Sequence, residues 1–288
     1  MRARFGCDVA RDSAASLTRW ERTSRAFVRA TIRVRWLDRL CTFLQEHVGA
    51  WWIDRCTRNL RYVVGLEHVR PYANRSILLV ANHRSFFDMF VVNAVLYREG
   101  GFRQRFLFPV RANFFYEGPL GLFVNGVMSF FSMYPPIFRD RRRAMLNHAA
   151  FAELAELMTS EVRSAGLHPE GTRNRGDDPY AFLPAQSGAG RLIHASKAPV
   201  VPVFVNGLRN DLVQQVKGNF RRDGAPVVVV FGPPIDFGDL RQRPGQGRTY
   251  RALAERAMEA IAELGDVERG YRAELSSASR MAGPSEPS

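Results

Sequence analysis

Cysteine is scarce in this chain, with only Cys7, Cys41 and Cys56 among 288 residues. Their spacing matches neither a zinc-ligand pattern nor a disulfide framework. That excludes a metal-stapled module or a small secreted scaffold and suits a reducing compartment. Lysine is scarcer, standing only at Lys197 and Lys217, so the 41 basic residues are overwhelmingly arginine. No Gly-x-Ser-x-Gly turn is present to carry a hydrolase nucleophile, and no internal repeat marks a solenoid. No apolar core follows the start Met1-Arg2-Ala3-Arg4-Phe5, so the chain is expected to stay on the cytoplasmic side. The longest uncharged run, Pro119 to Phe138, holds three prolines, two glycines, two serines and Asn125. At about 20 residues it is long enough to cross a bilayer, yet this content favours a buried, partly lipid-facing region.

What the chain has in excess is positive charge, +13 from 41 basic and 28 acidic residues. Such an excess serves nucleic acid, anionic lipid headgroups or acidic substrates, and net charge does not choose among them. No nucleic-acid reading module is recognisable, so no nucleic-acid partner is expected. From Ser24 to Cys56, Val28, Ile32, Trp36, Leu40, Leu44 and Val48 recur every four residues, with Arg25, Arg29 and Arg33 on a separate stripe. The pattern predicts one basic amphipathic helix, followed by Trp51-Trp52, that meets anionic membrane lipids at the interface. The alternative is that the stripe packs onto the rest of the chain as core.

His83 and Asp88 are the residues best placed for chemistry. They follow the apolar run Ile77-Leu78-Leu79-Val80, which predicts a buried strand emptying into a loop and then a helix, where α/β enzymes put their sites. An imidazole removes a proton from a hydroxyl near neutral pH, and a carboxylate beside it holds the tautomer and stabilises the imidazolium. Six histidines give about 0.3 such spacings by chance, so the pair is weak evidence alone. Ser85-Phe86-Phe87-Asp88 also has the form of a helix cap, under which Asp88 is structural. A second segment, His168-Pro169-Glu170-Gly171-Thr172-Arg173-Asn174-Arg175, is a tight turn presenting a carboxylate, a hydroxyl and two guanidiniums. Arginine's planar fork suits bidentate phosphate binding, and glycine lets the backbone approach a ligand.

Asn82-His83-x-x-x-x-Asp88 and Pro169-Glu170-Gly171-Thr172-Arg173 together resemble two motif blocks of the glycerolipid (lysophospholipid) acyltransferase family, which includes bacterial 1-acylglycerol-3-phosphate acyltransferases. The resemblance runs over roughly residues 60 to 235. Ala198-Pro199-Val200-Val201-Pro202-Val203 is similar to a further block. The block between is degraded to Tyr134-Pro135-Pro136-Ile137-Phe138-Arg139-Asp140-Arg141, and His168 stands where the family commonly has an aromatic residue. The resemblance implies direct acyl transfer from acyl-CoA or acyl-carrier protein to a lyso-lipid hydroxyl, without cofactor or metal. His83 is then the general base and Asp88 its orienting partner. Arg173 grips the acceptor's anionic group with Arg139 or Arg141 and Arg111, and Glu170 either bonds the acceptor or braces the loop, beside Gly171 and Thr172. The favoured acceptor is 1-acylglycerol 3-phosphate. Glycerol 3-phosphate, a lyso-ornithine lipid, a phosphorylated glycolipid or a non-catalytic membrane-binding role are the alternatives.

The expected fold is α/β, a single catalytic domain with a central mixed sheet flanked by helices. Residues 1–60 form the membrane-interfacial helical segment, 61–272 the catalytic domain and 273–288 a disordered tail. Strands are expected at 61–66, 77–81, 106–110, 200–205 and 227–231. Helices are expected at 85–97, 141–163, 190–196 and 248–264. The protein is expected at the cytoplasmic face of the cell membrane, peripheral or monotopic.

Overall fold

The computed structural model describes residues 17–281. Short runs rich in Val, Leu and Ile without alternation make the strands, the signature of a sheet buried on both faces. In chain order they are β1 (Arg61–Val64), β2 (Leu78–Ala81), β3 (Phe106–Leu107), β4 (Val110–Arg111), β5 (Pro136–Ile137), β6 (Ser164–Leu167), β7 (Val200–Asn206) and β8 (Val227–Phe231). Six pair in the order β1-β8-β7-β2-β6-β3, all parallel except the antiparallel β7–β8 pair, so the central sheet is mixed as expected. The expected strand over 106–110 is split, with β4 leaving to pair with β5 in a separate ribbon. Pro109 lies at the split, where it has no N–H to give a sheet ladder.

The long helix expected from Ser24 to Cys56 is also broken. It consists of α1 (Arg19–Arg33), α2 (Arg35–Leu44), a π-type turn over Gln45–Gly49, and α3 (Ala50–Thr57). Val34 is extended (φ −85°, ψ 111°) and separates α1 from α2. Carbonyls near the break are taken up by two buried arginines from the sheet region. Arg105 donates to Thr31 O (2.5 Å), and Arg163 donates to Ile32 O (3.2 Å). Both also pair with Asp38 on α2, at 2.9 and 2.6 Å. Arg105 further donates to Phe130 O and Phe131 O, both 3.1 Å, the carbonyls of two residues held at positive φ. That compensates a backbone conformation that L-residues rarely adopt.

The break redistributes the amphipathic stripe. Val28 and Ile32 are core, while Trp36 and Leu40 are exposed. The Arg25, Arg29 and Arg33 stripe is occupied too, all three pairing with Glu153 of the helix Ala144–Ser160 at 3.6, 2.5 and 3.7 Å. The alternative of packing as core therefore holds for α1. Gln45 ties the turn to the sheet, donating to Phe106 O (3.0 Å) and accepting from Tyr97 Oη (2.8 Å).

After β2 come α4 (Asp88–Arg98), α5 (Ala112–Phe115), α6 (Pro119–Ser129), α7 (Ala144–Ser160), α8 (Ser187–Ser196), α9 (Leu212–Arg221) and α10 (Gly247–Met281). Helix α4 packs on α3, and α10 packs on α8, β7 and β8. Helix α10 runs 17 residues past the expected Leu264, so residues 273–281 are helical rather than tail. Ala, Glu, Arg and Met carry helix propensity there, and Arg272 pairs with the buried Glu268 one turn earlier. Residues 282–288 lie outside the described residues.

Asp38→Ala tests the link between α2 and the sheet. It strips one partner from two nearly fully buried guanidiniums and is expected to cost about 3 kcal/mol, seen as a Tm lower by roughly 6 °C or more. A variant melting within a degree of the parent would contradict the clamp.

Candidate active site

Parallel pairing aligns Val80 of β2 with Leu167 of β6, so the loops that follow both strands leave the sheet at the same end. Gly166 lets α4 approach, since a Cβ there would lie 2.4 Å from Met89 Sδ. The His83 loop is held on three sides. Asn82 pairs reciprocally with Val205 of β7, donating to its carbonyl (2.9 Å) and accepting from its N–H (2.8 Å). His83 N donates to Glu170 Oε1 (2.9 Å), and Asn174 N donates to His83 O (2.8 Å). The third side is the loop after β7, where Asn210 Oδ1 accepts from both Phe86 N (3.2 Å) and Arg173 (2.9 Å).

His83 Nδ1 lies 3.2 Å from Asp88 Oδ2, which also accepts from the Arg84 and Ser85 amides at 2.8 Å each. One oxygen of Asp88 thus both ties the loop to the start of α4 and meets the imidazole, while the helix N-cap itself is Phe87 rather than Ser85. Asp88 is fully buried and its Oδ1 has no hydrogen-bond partner. Burial raises its carboxyl to about 6, against the pull of nearby imidazole, amides and guanidinium. Burial, then the Arg173 guanidinium, lowers His83 to about 4. At neutral pH the imidazole is therefore unprotonated beside an ionised carboxylate. The ionised carboxylate accepts from Nδ1–H, which leaves Nε2 as the nitrogen without a hydrogen.

Glu170 is a brace. Its second oxygen accepts from Leu183 N (2.8 Å), and the side chain is buried, so both oxygens are used by backbone. Gly171 sits at φ +65°, and a Cβ would press on Gln186 Cγ at 2.9 Å. Thr172 Oγ1 accepts from Arg111 (2.7 Å), which brings the end of β4 to the turn. Arg139 is exposed two residues beyond Ile137, the register partner of Arg111. Among the described residues, no hydrogen bond or ion pair joins Arg139 to His83, Asp88, Thr172 or Arg173. Arg141 falls in the 3-10 turn Arg141–Arg143, and its side chain lies outside the described residues. Sequence reading missed Arg84 and Asn210. Arg84 reaches the carbonyl of Gly176 with one nitrogen and leaves Nη1 buried without a partner. Asn210 had a faint signal, a Gly/Asn/Asp-rich turn directly after an apolar strand.

One nitrogen of His83, one of His168 and an oxygen of Asp88 lie within 4.8 Å of one another, a grouping a metal ion can use. The two rings are stacked at 3.9 Å and 7°, however. Lone pairs in parallel planes do not converge on one ion, so these side chains would have to rotate to bind metal.

The acyltransferase family model matches residues 60–206, half of the chain and both motif loops. The chain belongs to the acyltransferase family. Among curated relatives it is 27% identical over 200 residues to the 1-acyl-sn-glycerol-3-phosphate acyltransferase of Saccharomyces cerevisiae, covering 67% of this chain and 61% of that protein. The enzyme of the same name from Escherichia coli is 32% identical over 126 residues, 43% of this chain and 47% of that one. The match thus spans about three fifths of the yeast relative and under half of the bacterial one. The 1-acyl-sn-glycerophosphate acyltransferase PlsC of Thermotoga maritima has a solved structure that aligns over 91% of this chain and 88% of its own, at 20% identity and a TM-score of 0.47.

The Asp88 carboxylate must be ionised to support an imidazolium, so kcat should fall as pH drops through about 6. The expected loss between pH 7 and pH 5 is about tenfold. A kcat that stays flat down to pH 5 would show that Asp88 is not the supporting charge.

Proposed function

We propose that this acyltransferase moves a fatty acyl chain from an acyl thioester, acyl-CoA or acyl-carrier protein, to the free hydroxyl of a lysophospholipid-type acceptor. The observation that carries the reading is an imidazole 3.2 Å from a buried carboxylate, beside a turn that bears Arg173 and is met by Arg111. The relatives' names favour 1-acylglycerol 3-phosphate as acceptor. His83 Nε2 takes the hydroxyl proton as the acceptor oxygen attacks the thioester carbonyl. The new C–O bond forms, the C–S bond breaks, and the thiolate leaves with the proton returned from Nε2. Asp88 holds the ring and balances its transient charge. No residue is acylated on this route.

Arg173, Arg111 and Arg84 supply the anion-binding side, and Glu170, its oxygens spent on backbone, positions the loop. Arg139 and Arg141 stay candidates for the outer part of this pocket. Assay against acyl-CoA with 1-acylglycerol 3-phosphate, glycerol 3-phosphate and a lyso-ornithine lipid tests the reading. Arg173→Ala should raise KM for the phosphate-bearing acceptor about tenfold or more while sparing donor KM. A higher donor KM with an unchanged acceptor KM would move this turn to the donor side.

No helix among the described residues is long and apolar enough to cross a membrane. Peripheral binding is our reading, through the Trp36 and Leu40 part of the expected stripe rather than through Arg25, Arg29 and Arg33, which pair with Glu153. Helix α2 exposes Trp36 (66%), Leu40 and Phe43, and α6 exposes Leu120 (68%), Phe123 (66%) and Val127. Helix α6 contacts the Gln45–Gly49 turn that follows α2. Arg35 and Arg39, exposed and without an ion pair among the described residues, flank the Trp36 stripe. Anionic vesicles should retain the protein and salt should weaken the retention, while Trp36→Ser with Phe123→Ser should release it. Retention of the double variant at parental level would remove this face from the account.

A further inference from the structure

His168 enters from the end of β6 and lies flat against His83. The ring centroids are 3.9 Å apart and the planes differ by 7°. Its Nδ1 faces two carbonyl oxygens, Ala81 O at 3.1 Å and Asn82 O at 2.9 Å. Both partners are acceptors, so Nδ1 carries the hydrogen and the ring has a fixed orientation. The carbonyls it grips belong to the two residues immediately before His83. The same side chain therefore fixes the backbone that delivers the catalytic ring and the plane of that ring.

We propose that His168 is a positioning residue, a flat platform that keeps the His83 imidazole in the plane where Nδ1 meets Asp88 and Nε2 faces the acceptor. This rests on the acyl-transfer reading of His83. Without the platform, the imidazole turns about its own Cβ–Cγ bond, a soft torsion, and loses the 3.2 Å contact to Asp88. The ring face also lies against the imidazolium formed during transfer, where π density favours the cation. The charged or titratable groups around His83 are Asp88 at the start of α4, Arg84 on its own loop, and His168, Glu170 and Arg173 from the segment after β6. Among these, His168 alone meets the face of the ring.

Two space-filling variants of the full chain separate the platform from mere filling. His168→Phe keeps a flat face but leaves the Ala81 and Asn82 carbonyls without their donor. It should melt lower yet keep kcat within about threefold of the parent. His168→Leu fills the space without a flat face and should lose kcat about tenfold or more, with both KM values within twofold. The Nδ1–H proton of His83, read by NMR as a downfield signal of the Asp88 hydrogen bond, should persist in the Phe variant and vanish in the Leu variant. That signal does not depend on turnover. A parent that shows it but transfers no acyl chain would sink the acyltransferase reading, and the platform would still be decided by the signal in the two variants. A Leu variant that matches the Phe variant in kcat and in the His83 signal would overturn the proposal.

Discussion

The carboxylate of Glu170 reaches across two neighbouring parallel strands to accept the His83 amide, and the geometry of the site depends on that bridge. Strand pairing alone brings two loops to one end of the sheet; it does not register them to within a hydrogen bond. Glu170 does so by accepting from His83 on one side and Leu183 on the other, while Asn174 and His168 return hydrogen bonds to the His83 loop. A buried carboxylate is costly unless its oxygens are satisfied, and backbone amides from separate segments satisfy it only in the assembled fold. The His83 loop is thus locked by a group whose own burial requires the lock.

The same economy explains the arginines. A charge of +13 invites a picture of a surface coated in free cations, but several guanidiniums, two of them buried, are tied to carboxylates as fasteners. Arg105 and Arg163 converge on Asp38, and Arg25, Arg29 and Arg33 converge on Glu153. The planar fork lets Arg105 meet a carboxylate, a hydroxyl and three backbone carbonyls at once. The N-terminal helices are consequently fastened to the rest of the domain.

Legibility from sequence followed distance along the chain. His83 and Asp88 lie within one loop and the first residue of a helix, so their spacing alone carries the contact. Strands β2, β7 and β8 were readable because apolar runs need no partner to announce burial. The four-residue stripe through residues 28–48 misled, because periodicity does not register Asp38 meeting Arg163, 125 residues away in sequence. Glu170 as brace and His168 as stacking partner are equally products of tertiary structure. Composition misjudged the end of α10, where serines at 276 and 277 donate to carbonyls one turn back and remain helical.

Transfer in one step, with His83 as base and no acylated side chain, is the account's central chemical claim. Rapid mixing of stoichiometric protein with a labelled acyl-CoA, quenched before acceptor is added, tests it most directly. The account predicts no burst of free thiol and no label on the protein, with product formed only once a lyso-acceptor is supplied. A thiol burst matching the protein concentration, with label retained on the denatured chain, would contradict it.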